Sequence, residues 1–381
     1  MKKILFLLPS LAVGGMEKVL VSIANLLVDH GYDVTVYIMD DIAELSDELD
    51  KRVRLQHKPY KKHFGQKLPY IRHQFYDDGM WEKRVTPRQL YQYYVGDEEF
   101  DVEIAFFRGL PVKIISGLTN RNAVRLAWVH NDYRRARGYQ NNFRNMREVY
   151  DAYRRFDHVV CVSKEAELGF KEVVGDTHNT TVIYNLLPTE DIRRKAQEPA
   201  AIKFNKAAFH LVIVGRLEDK AKGQLRLIDA VARLHDEGYD ISLAIVGGGT
   251  DEQRIRDRIT EKNASSYIAM TGSRKNPYPY IKEADLLVCA SYYEGYNLTV
   301  AEALILGTPV LSTDCTGPRE ILEGGKYGML VENSEDGLYQ GLKTLYEDPD
   351  MLREYGEKAK QRRDFFDEEK IFGQIIRLFE G

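Results

Sequence analysis

Residues 284–314 read ADLLVCASYYEGYNLTVAEALILGTPVLSTD and contain an apolar run, a polar loop, a helical pattern and a second apolar run. Short apolar runs separated by a helix are typical of parallel strands that are buried on both faces. Two carboxylates lie in this stretch, Glu294 in the loop after the first run and Glu302 within the helical pattern. The stretch therefore predicts a strand, a helix and a second strand, with acidic side chains near the end of the first strand.

The same alternation continues through the whole chain. Other strand-like runs are KKILFLL, DVTVYIM, VEIAFF, VRLAWVH and HVVCVS in the first half, and FHLVIVG and ISLAIVG in the second. The series occurs twice and is broken at residues 186–205 by a polar stretch with two prolines. The sequence therefore predicts an α/β protein of two doubly wound, Rossmann-like domains that face each other across a cleft.

A length of 381 residues also favours two domains. We place the N-terminal domain at residues 1–190, the linker at 191–205 and the C-terminal domain at 206–365. Residues 366–381 are predicted to form a helix that packs back on the N-terminal domain.

Composition excludes several classes of protein. The formal net charge of −4 gives no overall field that would attract nucleic acid, and no nucleic-acid-binding motif is found. The cysteines (Cys161, Cys289 and Cys315) lie in or after apolar runs without C-x-x-C spacing, so we expect reduced, buried thiols in a cytosolic protein. Pro9 interrupts the apolar N-terminus, which favours a first strand over a signal peptide.

Two loops at predicted strand ends could bind an anion. Gly14 and Gly15 precede a helix, where free amides and the absence of side chains allow close approach of a phosphate; a plain tight turn is the alternative. Arg216 and Lys222 flank the loop after FHLVIVG, and two cations beside helix-terminal amides suit a diphosphate. Solvated surface charge would explain the same pair.

A third loop follows the strand DLLVCAS. Its turn residues, whose amides can point at a phosphate, are Gly295, Tyr296, Asn297 and Leu298. Glu302, in the helix that follows, either complements the helix dipole or accepts hydrogen bonds from a ribose diol. Asn297 either caps this helix or contacts a hydroxyl of the ligand.

Together these segments resemble a retaining glycosyltransferase of the GT-B fold, in glycosyltransferase family 4. The motifs that carry the resemblance are GGMEKVL, WVHND, VVCVSK and VIYN in the first half, and GRLEDKAKG, AIVGGG, ADLLVCASYYEGYNLTVAEALILGTPV, GPREIL and YGMLVEN in the second. The likeness covers nearly the whole chain. Bacterial relatives with similar endings are typically capsule, exopolysaccharide or lipopolysaccharide enzymes.

The resemblance implies a role for each matched residue of the C-terminal domain, which would bind the nucleotide sugar. Glu302 resembles the acid that holds the ribose hydroxyls, and Glu294 the acid beside the transferred sugar. Arg216 and Lys222 match the pair that neutralises the diphosphate.

The resemblance assigns the N-terminal domain to the acceptor side. His130 in WVHND matches a histidine near the anomeric carbon, and Gly14 and Gly15 match a glycine loop near the diphosphate and the acceptor. Many relatives have an aspartate directly after this histidine, whereas this chain has Asn131 and then Asp132, so the role of Asp132 is left open.

The implied activity is that of a hexosyltransferase using a nucleotide-diphosphate sugar, with a UDP-sugar favoured. No metal and no cofactor are expected, because no D-x-D motif lies where it would bind magnesium and the loop cations can stabilise the leaving group. Retention is compatible with front-face attack or with a double displacement through Glu294.

Two basic segments in the first half bear on the acceptor. Residues 51–75 hold eight Lys or Arg, three histidines and no acid, and residues 133–156 are rich in arginine and tyrosine. Such segments suit an anionic membrane surface, with solvated loops as the alternative. The resemblance to bacterial polysaccharide enzymes implies that the acceptor is a glycan or a polyprenyl-diphosphate-linked saccharide. The protein would then be cytoplasmic and peripheral on the inner face of the membrane.

Two other functions fit the same motifs. A GT-B nucleotide-sugar epimerase would consume its donor without an acceptor. A non-catalytic GT-B subunit would bind nucleotide beside a catalytic partner, although the presence of Arg216, Lys222, Glu294 and Glu302 argues against it.

Overall fold

The computed structural model describes residues 1–58, 80–118, 120, 122–136, 138–200 and 209–380. The chain divides into two compact units. Unit 1 comprises Met1–Leu186 together with Glu369–Gly381, and unit 2 comprises Leu187–Glu368. Each unit has its own parallel sheet with helices along the chain between successive strands.

Among the described residues, the sheet of unit 1 has seven parallel strands in the order β3-β2-β1-β4-β5-β6-β7. These strands are β1 Lys3–Leu8, β2 Asp33–Ile38, β3 Arg54–His57, β4 Val102–Ala105, β5 Val124–Val129, β6 His158–Cys161 and β7 Thr180–Val182. The α-helices described in unit 1 are α1 Gly15–Asp29, α2 Met80–Arg84, α3 Pro87–Tyr94, α4 Leu110–Ile115, α5 Met146–Tyr153 and α6 Lys164–Val173, with α16 Glu368–Arg377 at its C-terminal part.

The described sheet of unit 2 has six parallel strands in the order β10-β9-β8-β11-β12-β13. These strands are β8 Phe209–Val214, β9 Ile241–Val246, β10 Ile268–Gly272, β11 Leu286–Cys289, β12 Val310–Thr313 and β13 Met329–Val331. Its helices are α7 Thr189–Lys195, α8 Asp219–Lys222, α9 Gln224–Asp236, α10 Glu252–Glu261, α11 Tyr278–Glu283, α12 Leu298–Leu306, α13 Thr316–Ile321, α14 Glu335–Glu347 and α15 Pro349–Gln361. Short 3-10 helices span Ser46–Glu48, Glu323–Gly325 and Arg362–Phe366.

Helical periodicity explains how the core of unit 2 forms. On α9, Leu227, Val231 and Leu234 recur at helical spacing, and all three are fully buried in one cluster with Leu211 of β8 and Leu243 of β9. Because both faces of a parallel sheet are covered, the central strands β8 and β9 are mostly apolar. This rigid support fixes the loops that leave the carboxyl ends of the strands.

The C-terminal segment packs within unit 1. Phe372 on α16 contacts the ring of His30, with centroids 4.5 Å apart, and Phe379 contacts Tyr32 at 6.0 Å. The Lys2 ammonium donates a hydrogen bond of 2.8 Å to the carbonyl of Phe379. These contacts join α16 and the residues after it to the residues that directly precede β1 and directly follow α1.

In the described residues, no helix combines the length and the apolar composition needed to cross a bilayer. The three cysteines are free and buried, as the apolar runs around them predict.

Candidate active site

The strand order of each sheet reverses at a defined position. In unit 2, β8 lies between β9 and β11, so the loops after β8 and β11 leave neighbouring strands toward opposite halves of the sheet. Open parallel sheets bind ligands at this position, outside the carboxyl ends of the strands. The loop after β8 carries Arg216 and leads to Lys222, and the loop after β11 carries Glu294. The topology therefore brings together two of the three loops that the sequence singled out.

Lys222 and Glu294 form an ion pair at this edge of the sheet. The Nζ atom of Lys222, the last residue of α8, lies 2.6 Å from Oε1 of Glu294. The Glu294 side chain is 11% exposed and that of Lys222 is 29% exposed, so water screens the pair only partly. Burial alone would lower the pKa of Lys222, but the attraction of the Glu294 carboxylate outweighs it and raises that pKa.

Two further donors hold the same carboxylate oxygen. Ser291 donates a hydrogen bond of 2.6 Å from Oγ to Oε1 of Glu294, and Asn297 donates one of 3.0 Å from Nδ2. The sequence analysis did not identify Ser291, although a hydroxyl directly after a buried strand was a usable signal. Thr316 fixes the backbone of the loop by donating to the Glu294 carbonyl at 2.6 Å. The carboxylate of Glu294 is thus oriented by its own loop as well as by Lys222.

Asn297 is the N-cap of α12. Its Oδ1 accepts the amide of Val300 at 3.0 Å and the hydroxyl of Thr299 at 2.8 Å, while its backbone has φ 86°. Asparagine tolerates this left-handed conformation better than most residues and also caps well. Of the two roles predicted for Asn297, the structure shows helix capping.

Residues 295–298 connect the loop to the first turn of α12. Tyr296 is buried, and Leu298 is the first residue of the helix. Gly317 on α13 packs against this turn so closely that a Cβ atom there would lie 2.2 Å from the carbonyl oxygen of Tyr296. Glu302 lies on α12, one turn beyond its first residue, and is 4% exposed. A buried carboxylate beside the turn fits a specific polar partner better than a helix-dipole contact in solvent.

The Arg216 side chain differs from that of Lys222 in its surroundings. It is 67% exposed, and its guanidinium lies 3.7 Å from the Glu218 carboxylate. The structure thus brings Lys222 and Glu294 together and leaves the predicted partner cation, Arg216, at the surface of the same loop. An exposed arginine can turn toward an anionic ligand at the cost of a weak surface pair.

Three predicted residues belong to unit 1. Gly14 is the N-cap of α1 and Gly15 is its first residue. Because glycine has no side chain, Gly14 cannot cap the first amides of the helix. His130 follows β5, and its Nε2 lies 3.1 Å from the carbonyl oxygen of Phe106, with the two rings in contact at 4.6 Å. Burial lowers the pKa of His130 to about 3, so the imidazole is neutral at pH 7.

The residues after His130 have structural partners. The Asn131 side chain accepts a hydrogen bond of 2.7 Å from Arg108. Asp132 is buried and paired with Arg134 at 2.8 Å. The structure therefore accounts for Asp132 as an anchor of Arg134, which the sequence left open.

Two family models match the chain over adjacent segments. The model described as Glycosyltransferase Family 4 matches residues 13–191, and the model described as Glycosyl transferases group 1 matches residues 194–362. The chain belongs to the GT4-type glycosyltransferases.

Known relatives of this GT4-type chain include bacterial glycosyltransferases. The N-acetylgalactosamine-N,N'-diacetylbacillosaminyl-diphospho-undecaprenol 4-alpha-N-acetylgalactosaminyltransferase of Campylobacter jejuni is 34% identical over 202 residues, which are 52% of this chain and 53% of the relative. An uncharacterised glycosyltransferase of Haemophilus influenzae is 25% identical and covers 97% of this chain and 98% of its own. The chain thus matches only about half the length of the first of these relatives.

Solved structures give the fold of the GT4-type chain. HepE of Anabaena, determined in complex with UDP and glucose, superposes with a TM-score of 0.76 at 20% identity, covering 100% of both chains. The two Rossmann-like units and this likeness confirm the predicted α/β class and GT-B fold.

The structure describes most of the second basic segment of the GT4-type chain, residues 133–156, but little of the first. Most of the first, residues 59–75, lies outside the described residues. In the second, Arg134 pairs with Asp132 and Glu165, Arg144 with Glu148 and Arg147 with Asp151. Neighbouring carboxylates therefore balance much of the described positive charge of residues 133–156, which favours a solvated surface there over a membrane contact.

The described parts of the GT4-type chain contain no group of three or more His, Cys, Asp or Glu side chains arranged to hold a metal ion.

Proposed function

We propose that this chain is a retaining hexosyltransferase that moves a sugar from a UDP-sugar to a saccharide acceptor. The observation that carries the proposal is the pair of Lys222 and Glu294, whose side chains meet at 2.6 Å where the strand order of unit 2 reverses. A cation and a carboxylate at this edge match the needs of sugar transfer, because the diphosphate leaves as an anion while positive charge develops on the sugar ring.

Lys222 and Arg216 would stabilise the leaving diphosphate. Lys222 is already oriented by Glu294, and Arg216, on the same loop, is exposed and offers fork geometry. The amides of residues 295–298 and the start of α12 add donors for a phosphate. Since these groups supply positive charge from the protein itself, we propose a reaction that requires no metal ion.

Glu294 would face the transferred sugar. Its Oε1 accepts hydrogen bonds from Lys222, Ser291 and Asn297, and three donors lower the nucleophilicity of an oxygen. This arrangement favours front-face transfer over a covalent glycosyl intermediate. The bond from the anomeric carbon to the phosphate oxygen breaks, the acceptor hydroxyl oxygen bonds to the same face, and the leaving phosphate oxygen takes the hydroxyl proton.

Glu302 would bind the nucleoside by accepting hydrogen bonds from the ribose hydroxyls. It is buried on α12, one turn beyond the first residue of that helix and therefore close to the amides that would bind the diphosphate. UDP is proposed as the nucleotide because the structural neighbour HepE was determined with UDP and glucose. The contributions of Gly14, Gly15 and His130 to the donor stay predictions.

A polyprenyl-diphosphate-linked saccharide is the proposed acceptor. The name of the Campylobacter relative specifies a saccharide on diphospho-undecaprenol. The basic segment of residues 51–75 supports the same class of acceptor, because it suits an anionic membrane surface. The proposed place of the enzyme is therefore the cytoplasmic face of the membrane, in the synthesis of a surface polysaccharide.

Calorimetric titration with UDP, GDP, ADP, CMP and dTDP, each with magnesium and with EDTA, tests the nucleotide site. We expect binding of UDP that is unchanged by EDTA. Binding of another nucleotide would overturn the assignment of UDP, and binding of none would overturn the donor site. A second assay, with UDP-sugars and no acceptor, separates transfer from epimerisation, because an epimerase would consume the donor and release a free sugar.

A further inference from the structure

Arg226 is a buried arginine directly behind the candidate active site. It lies on α9, is 6% exposed, and donates two hydrogen bonds to the carbonyl oxygen of Ala290, of 3.1 Å from Nε and 2.6 Å from Nη2. Its Nη2 also donates to Oδ1 of Asn333 at 2.7 Å. One guanidinium therefore joins α9 to the start of the loop that carries Glu294 and to the segment after β13.

The same guanidinium also holds Tyr292. It lies over the ring of Tyr292, 3.8 Å from the centroid, and Asn333 donates from Nδ2 to the Tyr292 carbonyl at 3.1 Å. Arg226 and Asn333 thus fix residues 290–292 through both carbonyls and the ring. Glu294 is only two residues further along the chain.

The turn that carries Lys222 is packed against the same residues. Gly223 has φ +66°, and a Cβ atom on it would lie 2.2 Å from the Ala290 oxygen and 2.7 Å from Nε of Arg226. The amide of Tyr292 donates to the carbonyl of Ala221 at 2.9 Å. The turn of Lys222 and the loop of Glu294 therefore meet at Ala290, where Arg226 binds.

The described partners of Arg226 are neutral: a carbonyl, an amide oxygen and an aromatic ring. A buried charge without a carboxylate in hydrogen-bond contact costs folding free energy, and burial lowers the pKa of this guanidinium more than the nearby charge of Asp219 raises it. An apolar side chain of similar size would avoid that cost. The chain keeps a planar group with several fixed donors at this position, which points to a geometric requirement at the site.

We propose that Arg226 is a positioning residue for the diphosphate site. Its fork fixes the loop of Glu294 against the turn of Lys222, so that the Lys222 ammonium is held where the outer phosphate of the donor binds. This inference rests on the proposed function, since it assumes that Lys222 contacts the diphosphate of UDP.

The test compares UDP with UMP, which lacks the outer phosphate, by calorimetry. The variants are Arg226→Met, Arg226→Lys and Lys222→Met, together with the double variant of Met at both positions. Arg233→Met is the matched control, because Arg233 lies on the same helix over a tyrosine ring, 3.5 Å from the centroid of Tyr339, but pairs with Asp336 on the surface.

We expect Arg226→Met to weaken UDP binding about tenfold, as for a lost charge-assisted contact, and UMP binding by less than about threefold. Arg226→Lys should resemble Arg226→Met, because lysine keeps the charge and loses the fork. In the Lys222→Met background, Arg226→Met should change UDP binding by less than about twofold, since coupled residues are not additive. The Arg233→Met control should bind both nucleotides as the wild type does.

Any one of four results would overturn this inference and leave the proposed function standing. They are wild-type UDP binding by Arg226→Met, full rescue by Arg226→Lys, equal losses for UDP and UMP, and additive effects with Lys222→Met. If Arg226→Met does not fold, Asn333→Leu provides the test, because it removes the side chain that binds both Arg226 and the Tyr292 carbonyl. Asn333→Leu should then show the same selective loss of UDP binding. If it binds UDP as the wild type does, the proposed positioning role of Arg226 is wrong. Failure of the wild-type chain to bind UDP would overturn the proposed function, and this inference with it.

Discussion

Lys222 and Glu294 are 72 positions apart in the chain, and Nζ of the lysine lies 2.6 Å from Oε1 of the glutamate. The pair exists because β8 and β11 are neighbours in the sheet, although β9 and β10 lie between them in the sequence. The Glu294 carboxylate lies beside Lys222, where the proposed function also places a phosphate of the donor. We therefore expect the donor to bind beside this ion pair, either as a second anionic partner of Lys222 or in place of Glu294.

Replacing Lys222 with methionine removes this cation while keeping an unbranched side chain of nearly the same length. We expect the affinity for UDP to fall about 10- to 100-fold, the range for a lost charge-assisted hydrogen bond, with a smaller loss for UMP. Lys220→Met is the control, because Lys220 lies on the same short helix and is exposed. Equal UDP affinities of Lys222→Met and the control would exclude Lys222 from the site.

The ribose role of Glu302 can be tested with a modified ligand. Glu302→Gln should weaken UDP binding by about 1–3 kcal/mol, since a charged acceptor of the ribose hydrogen bonds is replaced by a neutral one that can accept at only one atom. With 2′,3′-dideoxy-UDP, which has no ribose diol, wild type and variant should bind alike. A loss that is the same for both ligands would show that Glu302 acts on the fold of α12 and not on the ribose.

Gly317 is expected to tolerate no side chain. A Cβ atom at this position would lie 2.2 Å from the carbonyl oxygen of Tyr296. Because that oxygen belongs to the backbone, it can move away only if the turn of residues 295–298 moves with it. We predict that Gly317→Ala lowers the free energy of unfolding by about 1–3 kcal/mol and weakens UDP binding.

The control for Gly317→Ala is Gly356→Ala on α15. The nearest atom to a Cβ there is Pro309 Cγ at 3.6 Å, an ordinary contact, so this variant should be as stable as the wild type or slightly more so, because alanine favours helix. Urea denaturation and UDP titration measure both effects. Wild-type behaviour of Gly317→Ala would mean that the turn can shift without loss.

Glu103 gives unit 1 a pH-dependent stability. It is fully buried on β4, accepts a hydrogen bond of 2.6 Å from the Tyr91 hydroxyl, and burial raises its pKa from 4.5 to about 7. Between these values the folded protein holds a proton that the unfolded chain has released. The free energy of unfolding contributed by this group therefore falls as pH rises from about 4.5 to 7.

Glu103→Gln stays neutral and should remove this pH dependence. We expect the stability of Glu103→Gln relative to the wild type to increase by about 3 kcal/mol between pH 4 and pH 9. The control is Glu99→Gln, which changes an exposed acid, and urea denaturation at several pH values provides the measurement. Parallel stability curves for the wild type and Glu103→Gln would refute the assignment.

His130 is expected to remain neutral across the physiological range. With its pKa lowered to about 3, the ring that contacts the Phe106 carbonyl must carry its proton on Nε2, which leaves Nδ1 as an acceptor. Nitrogen NMR, assigned with a His130→Gln variant, should find this single tautomer from pH 5.5 to 8. A titration midpoint above pH 5 would contradict the burial argument.

Central strands were predicted from the sequence, whereas edge strands were not. The missed strands are β3, β7, β10 and β13, and each is the edge strand of its sheet. An edge strand has a neighbour on one side only and is partly exposed, as the residues of β7 and β13 are. Such a strand needs no continuous apolar run, so periodicity alone does not distinguish it from a loop.

The candidate site was predictable where a motif or a charge marked it. Lys222, Glu294 and Asn297 were identified before the structure, and the structure brings these three side chains together. Arg226 was missed because its role depends on contacts with residues distant in sequence, whereas Ser291 was missed although its partner Glu294 is only three residues away. A serine next to a strand, or an arginine in an amphipathic helix, has many ordinary explanations until the fold supplies its partners.

The return of the chain to unit 1 has a consequence for biosynthesis. Lys2 and Phe379 are 377 positions apart and yet share a hydrogen bond, so the contacts of unit 1 include residues that are translated after all of unit 2. Unit 2 is continuous from Leu187 to Glu368 and leaves the ribosome complete before the segment from Glu369 onward emerges. During synthesis, unit 2 therefore has all of its residues before unit 1 does, and unit 1 acquires these contacts only after unit 2 has been translated.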